Sequence, residues 1–140
     1  MPESNTASVR RPALTGRLLS DRDVVRVDGE PRLRAARCLD CDTRVFPAPA
    51  VCPSCTGERM AELPLSDTGT LYACSTVHIA PPMWETPYTI GYVDLPEGVR
   101  VFGKVEHRPA LEPDTPVRVC LQPADDDPPS PAWRYWFVAA

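Results

Sequence analysis

Two Cys-x-x-Cys units, Cys38-Leu39-Asp40-Cys41 and Cys52-Pro53-Ser54-Cys55, stand ten residues apart and constrain this chain more than any other feature of its sequence. Each spacing lets one tight turn point two thiolates at a common ion, and two such turns close a tetrahedron of sulfurs about 2.3 Å from the metal. Zinc suits four soft thiolates, and a complete four-cysteine shell leaves no position for water or substrate, so its expected role is structural. Iron in a rubredoxin-like site is the competing occupant, because the same thiolates hold it. A thioredoxin-like redox pair lacks the surrounding βαβ pattern. Asp40 and Asp42 are expected to be solvated residues of the turns and not ligands, since the sulfurs fill the shell.

The rest of the composition limits what can surround such a site. Eighteen prolines in 140 residues exclude long helices, because an interior proline removes an amide donor and clashes with the preceding turn. Strands and loops are expected. The first 16 residues are polar and arginine-bearing, and no run of about 18 apolar residues occurs, so a cytoplasmic chain outside the membrane is expected. In that reducing compartment six cysteines at paired short spacings favour a metal over disulfides. Charge is uneven: residues 1–37 carry eight Arg against five acids, and residues 61–140 carry five basic residues against eleven acids. A nucleic-acid binder presents a basic face to phosphates, so the acidic C-terminal part argues against that partner.

Along the chain, residues 1–22 read as a disordered arm, residues 23–62 as the zinc ribbon with a preceding hairpin turning at Asp28 and Gly29, and residues 63–140 as a barrel. After the turn signal Asp67-Thr68-Gly69, residues 70–79 form a long strand. Residues 80–87, with three prolines, form a loop carrying Met83 and Trp84. Residues 88–94 and 99–106 are the next strands, joined by the turn Leu95-Pro96-Glu97-Gly98. Val99, Val101, Gly103 and Val105 alternate with Arg100, Phe102, Lys104 and Glu106, a largely polar face, as one buried face requires. Val117, Val119 and Leu121 repeat the pattern, and residues 133–138 close the chain as an aromatic strand. Five strands, the first of them long, predict a small closed barrel of the OB type, so the fold class is mostly β, a rubredoxin-like ribbon followed by a five-stranded OB-fold barrel.

Cys74 and Cys120 fall in strands away from the ribbon and read as small buried hydrophobes. His78 lies four residues beyond Cys74 on an extended strand, about 13 Å along it, too far for a direct dyad. The sequence holds no phosphate-binding glycine loop, nucleophile elbow or metalloprotease helix.

The order of these pieces resembles the zinc-ribbon plus OB-fold proteins catalogued as domain of unknown function thirty-five. The residues that carry the likeness are the ribbon with Val45-Phe46-Pro47-Ala48-Pro49-Ala50-Val51, then Leu63-Pro64-Leu65-Ser66-Asp67-Thr68-Gly69-Thr70-Leu71-Tyr72. Thr76-Val77-His78, the proline-rich loop and the stretch from Pro87-Tyr88-Thr89-Ile90-Gly91-Tyr92 to Val99-Arg100 complete it. Such proteins are commonly partners of thiolase-like enzymes acting on acyl-CoA, the partner supplying the nucleophile. The resemblance therefore implies a non-catalytic or co-catalytic accessory subunit for condensation, retro-condensation or acyl transfer on acyl-CoA or carrier-bound acyl groups, not catalytic alone and with no catalytic residue assigned in this chain. Within that reading Met83 and Trp84 would line an acyl or pantetheine passage, His78 would hydrogen-bond a ligand, and Trp136, opposite in face to Trp133, Tyr135 and Phe137, would meet the partner. The arginine-rich residues 1–37 and the aromatic C-terminal strand depart from the family pattern. The alternatives are a nucleic-acid-binding ribbon/OB module, since OB folds present aromatic faces to single strands, and a small free-standing acyl-CoA enzyme with a site built at a subunit interface.

Overall fold

Strands dominate, as the proline content requires. The computed structural model describes residues 17–82, 86–123 and 132–140, and the one helical element among them is a 3-10 turn at Asp21–Asp23. The strands are β1 (Arg17–Ser20), β2 (Val24–Val27), β3 (Glu30–Cys38), β4 (Arg44–Val45), β5 (Met60–Pro64), β6 (Thr68–Val77), β7 (Tyr88–Asp94), β8 (Arg100–Val105), β9 (Pro116–Pro123) and β10 (Ala132–Ala139).

The ribbon is organised around β3. It pairs antiparallel with β2 through a two-residue turn in which Asp28 and Gly29 have φ of 53° and 84°, the left-handed geometry that matches strand twist in tight hairpins. Further along, β3 pairs with β4 and with β5. It therefore runs unbroken from the hairpin tip to the first cysteine of the metal cluster.

The barrel follows the order β10-β8-β7-β6-β9, and β9 pairs back onto β10 to close it with five strands. Only β10 and β8 run parallel. Closure leaves one length of edge on β10, short of its pairing with β8. The arm expected over residues 1–22 is corrected at its C-terminal end: residues 17–20 form β1, antiparallel to β10 with Arg17 opposite Tyr135 and Ser20 opposite Ala132. A pairing across more than a hundred residues leaves no local signature in four residues. Residues 1–16 lie outside the described residues.

Inward positions follow the alternation. Val101, Val105, Val117, Tyr135 and Phe137 are buried, and Arg100, Phe102 and Arg118 face outward. Gly103 makes room for the two largest rings, since a Cβ there would stand 2.9 Å from the Phe137 ring and 3.0 Å from that of Tyr135. The polar ends of the buried aromatics are satisfied, as burial demands: the Tyr135 hydroxyl donates to the Phe102 carbonyl, and Trp133 Nε1–H donates to Asp21 Oδ1 at 3.0 Å.

Ribbon and barrel share one core. Leu33 and Ala35 of β3 belong to the same buried cluster as Leu71, Val101 and Tyr135, with Phe46 and Leu63 packed against it. Hydrogen bonds cross the same junction. The Leu65 amide donates to the Leu33 carbonyl at 2.9 Å, and Arg44 Nη1 donates to the Glu97 carbonyl at 2.8 Å. The Glu97 carboxylate accepts from the Ser66 amide and hydroxyl at 3.0 and 2.6 Å. An ion pair joins Arg32 to Asp67 at 2.9 Å. No helix among the described residues is long and apolar enough to cross a membrane.

Candidate metal centre and the barrel surfaces

The two cysteine pairs fold as near-copies of one turn. In the first, the Asp42 amide donates to the Cys38 carbonyl at 2.9 Å and the Cys38 amide to the Thr43 carbonyl at 2.8 Å. In the second, the Thr56 amide donates to the Cys52 carbonyl at 3.0 Å and the Cys52 amide to the Gly57 carbonyl at 2.8 Å. The residue after each second cysteine, Asp42 or Thr56, closes the turn at φ of 66° or 63°. Amides two residues beyond three of the cysteines then point at sulfur: Asp40 N–H at Cys38 Sγ, Ser54 N–H at Cys52 Sγ and Gly57 N–H at Cys55 Sγ, each at 3.4 Å. The fourth sulfur, Cys41 Sγ, lies 3.1 Å from Thr43 Oγ1, whose hydroxyl is a donor once the sulfur is a thiolate.

These turns bring Cys38, Cys41, Cys52 and Cys55 together with all four sulfurs within 4.8 Å of one another. The Cys38–Cys55 and Cys41–Cys52 sulfurs are 3.6 Å apart. A tetrahedron with sulfurs about 2.3 Å from zinc has edges of roughly 3.8 Å, so the arrangement fits. Its electrostatics call for a cation. The Cys55 and Ser54 backbone groups and the neighbouring sulfurs bring Cys52 down to about 6. Thr43 lowers Cys41. The Gly57 amide alone would lower Cys55, but the crowding sulfurs of Cys41 and Cys38 outweigh it and push Cys55 up to about 12. Four thiolates this close are not held without positive charge between them. The cluster is suited to a structural zinc ion, and among the described residues it is the one group of three or more metal-ligating side chains.

Asp40 and Asp42 are not among the four, and both are ion-paired. Arg59 binds Asp40 through two guanidinium nitrogens. Asp42 receives Arg37 at 3.0 Å and Arg44 at 3.5 Å, which hold its carboxyl below the usual range. Gly57 is a supporting residue that spacing did not reveal: a Cβ there would stand 2.6 Å from Asp40 Oδ2 and 3.2 Å from Cys55 Sγ.

His78 is exposed just beyond β6, and Met83 and Trp84 lie outside the described residues. Trp136 is half-buried on the outer face of β10, opposite Cys120. It lines a groove of about 310 Å³ between the ribbon hairpin and β9, with Arg32, Arg118 and Gln122. Cys74 and Cys120 are half-buried, not fully buried. Cys74 Sγ lies 3.9 Å from the Leu111 carbonyl, and burial pushes the Cys120 thiol up, the direction that makes a thiol less reactive. The other histidine, His107, contacts the Thr89 hydroxyl through Nδ1 at 3.0 Å.

The alternation correctly sent Phe102 outward but did not reveal a patch. Tyr92 and Phe102 sit opposite each other on β7 and β8 with ring centroids 5.2 Å apart, and both are exposed. Beside them Arg100, held by Asp94, stacks 3.5 Å over the Tyr72 ring.

A four-cysteine ribbon fused to a closed five-stranded barrel defines the class as a zinc-ribbon/OB-fold protein. Residues 29–61 match the family model described as the ChsH2 rubredoxin-like zinc ribbon domain, and residues 62–122 that of the ChsH2 C-terminal OB-fold domain. The chain belongs to this ChsH2-type, DUF35 family. It is 43% identical over 79 residues to the benzoylsuccinyl-CoA thiolase subunit BbsA of Thauera aromatica, covering 56% of this chain and 55% of that one. It is 37% identical over 95 residues to a DUF35 domain-containing scaffold protein of Methanocaldococcus jannaschii, covering 63% and 67%. Among solved structures, a chain of the Ltp2-ChsH2(DUF35) aldolase superposes with a TM-score of 0.62 at 28% identity, covering 77% of this chain and 84% of that one. The match thus spans little more than half the length of the thiolase subunit.

Proposed function

We propose that this protein is an accessory subunit of a thiolase-like enzyme, acting with it on acyl-CoA or carrier-bound acyl groups in condensation, retro-condensation or acyl transfer. The observation that carries the reading is the 43% identity to a subunit of benzoylsuccinyl-CoA thiolase. The chemistry of the chain is in keeping with it. The metal shell is completed by four sulfurs and leaves no place for a substrate, and the described cysteines outside it lack an activating base. The nucleophile then belongs to the partner. In this reading Cys38, Cys41, Cys52 and Cys55 hold zinc, Trp136 contributes to the partner interface, and His78, Met83 and Trp84 border the acyl or pantetheine passage. Co-expression with a thiolase-like subunit tests this: a hetero-oligomer is expected, with acyl-CoA turnover in the complex and none in this chain alone. Trp84→Ala should lower turnover by the complex while leaving assembly intact. Full-rate turnover by the isolated chain, or failure to associate with any thiolase-like subunit, would overturn it.

The exposed Tyr92–Phe102 pair favours one second reading, a stacking platform for single-stranded nucleic acid on the second and third barrel strands. The excess of acids over basic residues beyond residue 60 weighs against it, since counterion release by basic side chains supplies most such affinity. Binding to a labelled single strand is expected to be negligible at physiological salt. Submicromolar, salt-resistant binding would reverse the order of the two readings.

A further inference from the structure

The four sulfurs and the barrel are opposite ends of one chain of contacts. β3 ends on Cys38, whose side chain is fully buried, and three and five residues earlier it carries Ala35 and Leu33, both in the core shared with the barrel. The segment between the cysteine pairs supplies two more anchors. Phe46 stands edge-on to Tyr135, centroid to centroid 6.1 Å at 87°, and Arg44 donates to the Glu97 carbonyl in the turn between β7 and β8. From Tyr135 the contact continues, through its hydroxyl, to the backbone of Phe102, half of the exposed aromatic pair.

The inter-pair segment is held at both ends by the metal cluster and between them by Phe46 and Arg44 on the barrel. Residues 42–51 are tied at one end by Cys41 and at the other by Cys52, and their only strand, β4, has two residues and two pairings with β3. So short a pairing does not order a ten-residue loop by itself, because fixing each backbone residue costs about 1–2 kcal/mol of conformational entropy. Free energy of metal binding in such sites is folding free energy. Here it is transmitted to whatever Arg44 and Phe46 hold.

We propose that occupancy of the four-cysteine site is a conformational control on the barrel. With the ion bound, Phe46 and Arg44 brace Tyr135 and the turn at residues 95–99, and through them the β7–β8 face that presents Tyr92 and Phe102. When the ion leaves, the brace is released and that face loosens. The control acts whatever partner the face meets.

Hydrogen–deuterium exchange of the zinc-loaded full chain, before and after zinc is stripped with EDTA, tests this in peptides covering Tyr88–Asp94, Arg100–Val105 and Ala132–Ala139. Exchange there should rise by roughly tenfold or more, because it tracks the free energy of local opening, and added zinc should restore protection. Joint loss of protection in ribbon and barrel is the same result at its largest. Phe46→Leu, conservative enough to fold, should show less than about half of the zinc-dependent rise. Barrel peptides that stay protected while residues 38–57 open would overturn the proposal. So would an undiminished response in Phe46→Leu.

Discussion

Cys52 shows how much of the metal centre is decided residue by residue. It is buried, it accepts the Ser54 amide at sulfur, and its carbonyl and amide both close the second turn. Cys52→Ser removes a soft thiolate and leaves three, so zinc content measured by atomic emission should fall well below one ion per chain, with loss of thermal stability. Gly57→Ala is a subtler test. The new Cβ must displace either Asp40, which Arg59 holds, or Cys55 Sγ, and overpacking of this kind costs about 1–3 kcal/mol. Its midpoint in a zinc competition with a chromogenic chelator should shift toward weaker binding. The four ligands were legible because their spacing is itself the chemistry. Gly57, and the left-handed Asp42 and Thr56, were not, because what they contribute is backbone shape and close approach, which only folded geometry exposes.

At the level of strands, alternation carried the reading furthest where one face is buried and the other wet. Val99, Val101, Gly103 and Val105 show it, and so do Trp133, Tyr135 and Phe137 against Trp136. Patterns that depend on distant partners were invisible. β1 exists because β10 offers it an edge. β4 is too short to have a period, and the register of β6 against β7 shifts between Leu71 and Ala73, so simple counting along β6 fails beyond that point. Two substitutions on β8 separate the faces. Gly103→Ala drives a methyl into the Phe137 and Tyr135 rings and should lower unfolding free energy by about 1–3 kcal/mol in urea melts. Phe102→Ser, one residue away, loses mainly its ring contact with Tyr92 and should cost about 1 kcal/mol or less. Equal effects would mean that the rings inside the barrel yield more readily than their packing implies.

For the molecule as a whole, the shared core makes ribbon and barrel one mechanical object and gives Trp136 its interest. The indole stands on the outside of β10, yet most of it is covered, because the ribbon hairpin and β9 wall the groove it lines. A surface that joins both lobes in this way can be gripped by a partner only while the two keep their relative position, which the junction at Leu33, Phe46 and Leu65 secures. Leu33→Ala should therefore cost about 2–5 kcal/mol, as buried leucine truncations do, and should weaken a complex through misplacement even though Leu33 is inaccessible. Trp136→Ala removes a ring that is mostly covered by its own fold, so it should lower unfolding free energy by about 2 kcal/mol. It should also weaken association with a thiolase-like subunit by about 2 kcal/mol or more, roughly thirtyfold in Kd, because truncating an aromatic anchor at an interface loses its contacts and the water exclusion around it. Calorimetric titration of the two variants against the same subunit distinguishes the causes. An interface role for Trp136 predicts that its variant loses more affinity than Leu33→Ala does for the same loss of melting temperature. A Trp136→Ala protein that binds as tightly as the unaltered chain would move the interface elsewhere, and the exposed face carrying Tyr72, Tyr92 and Phe102 would be the next surface to truncate.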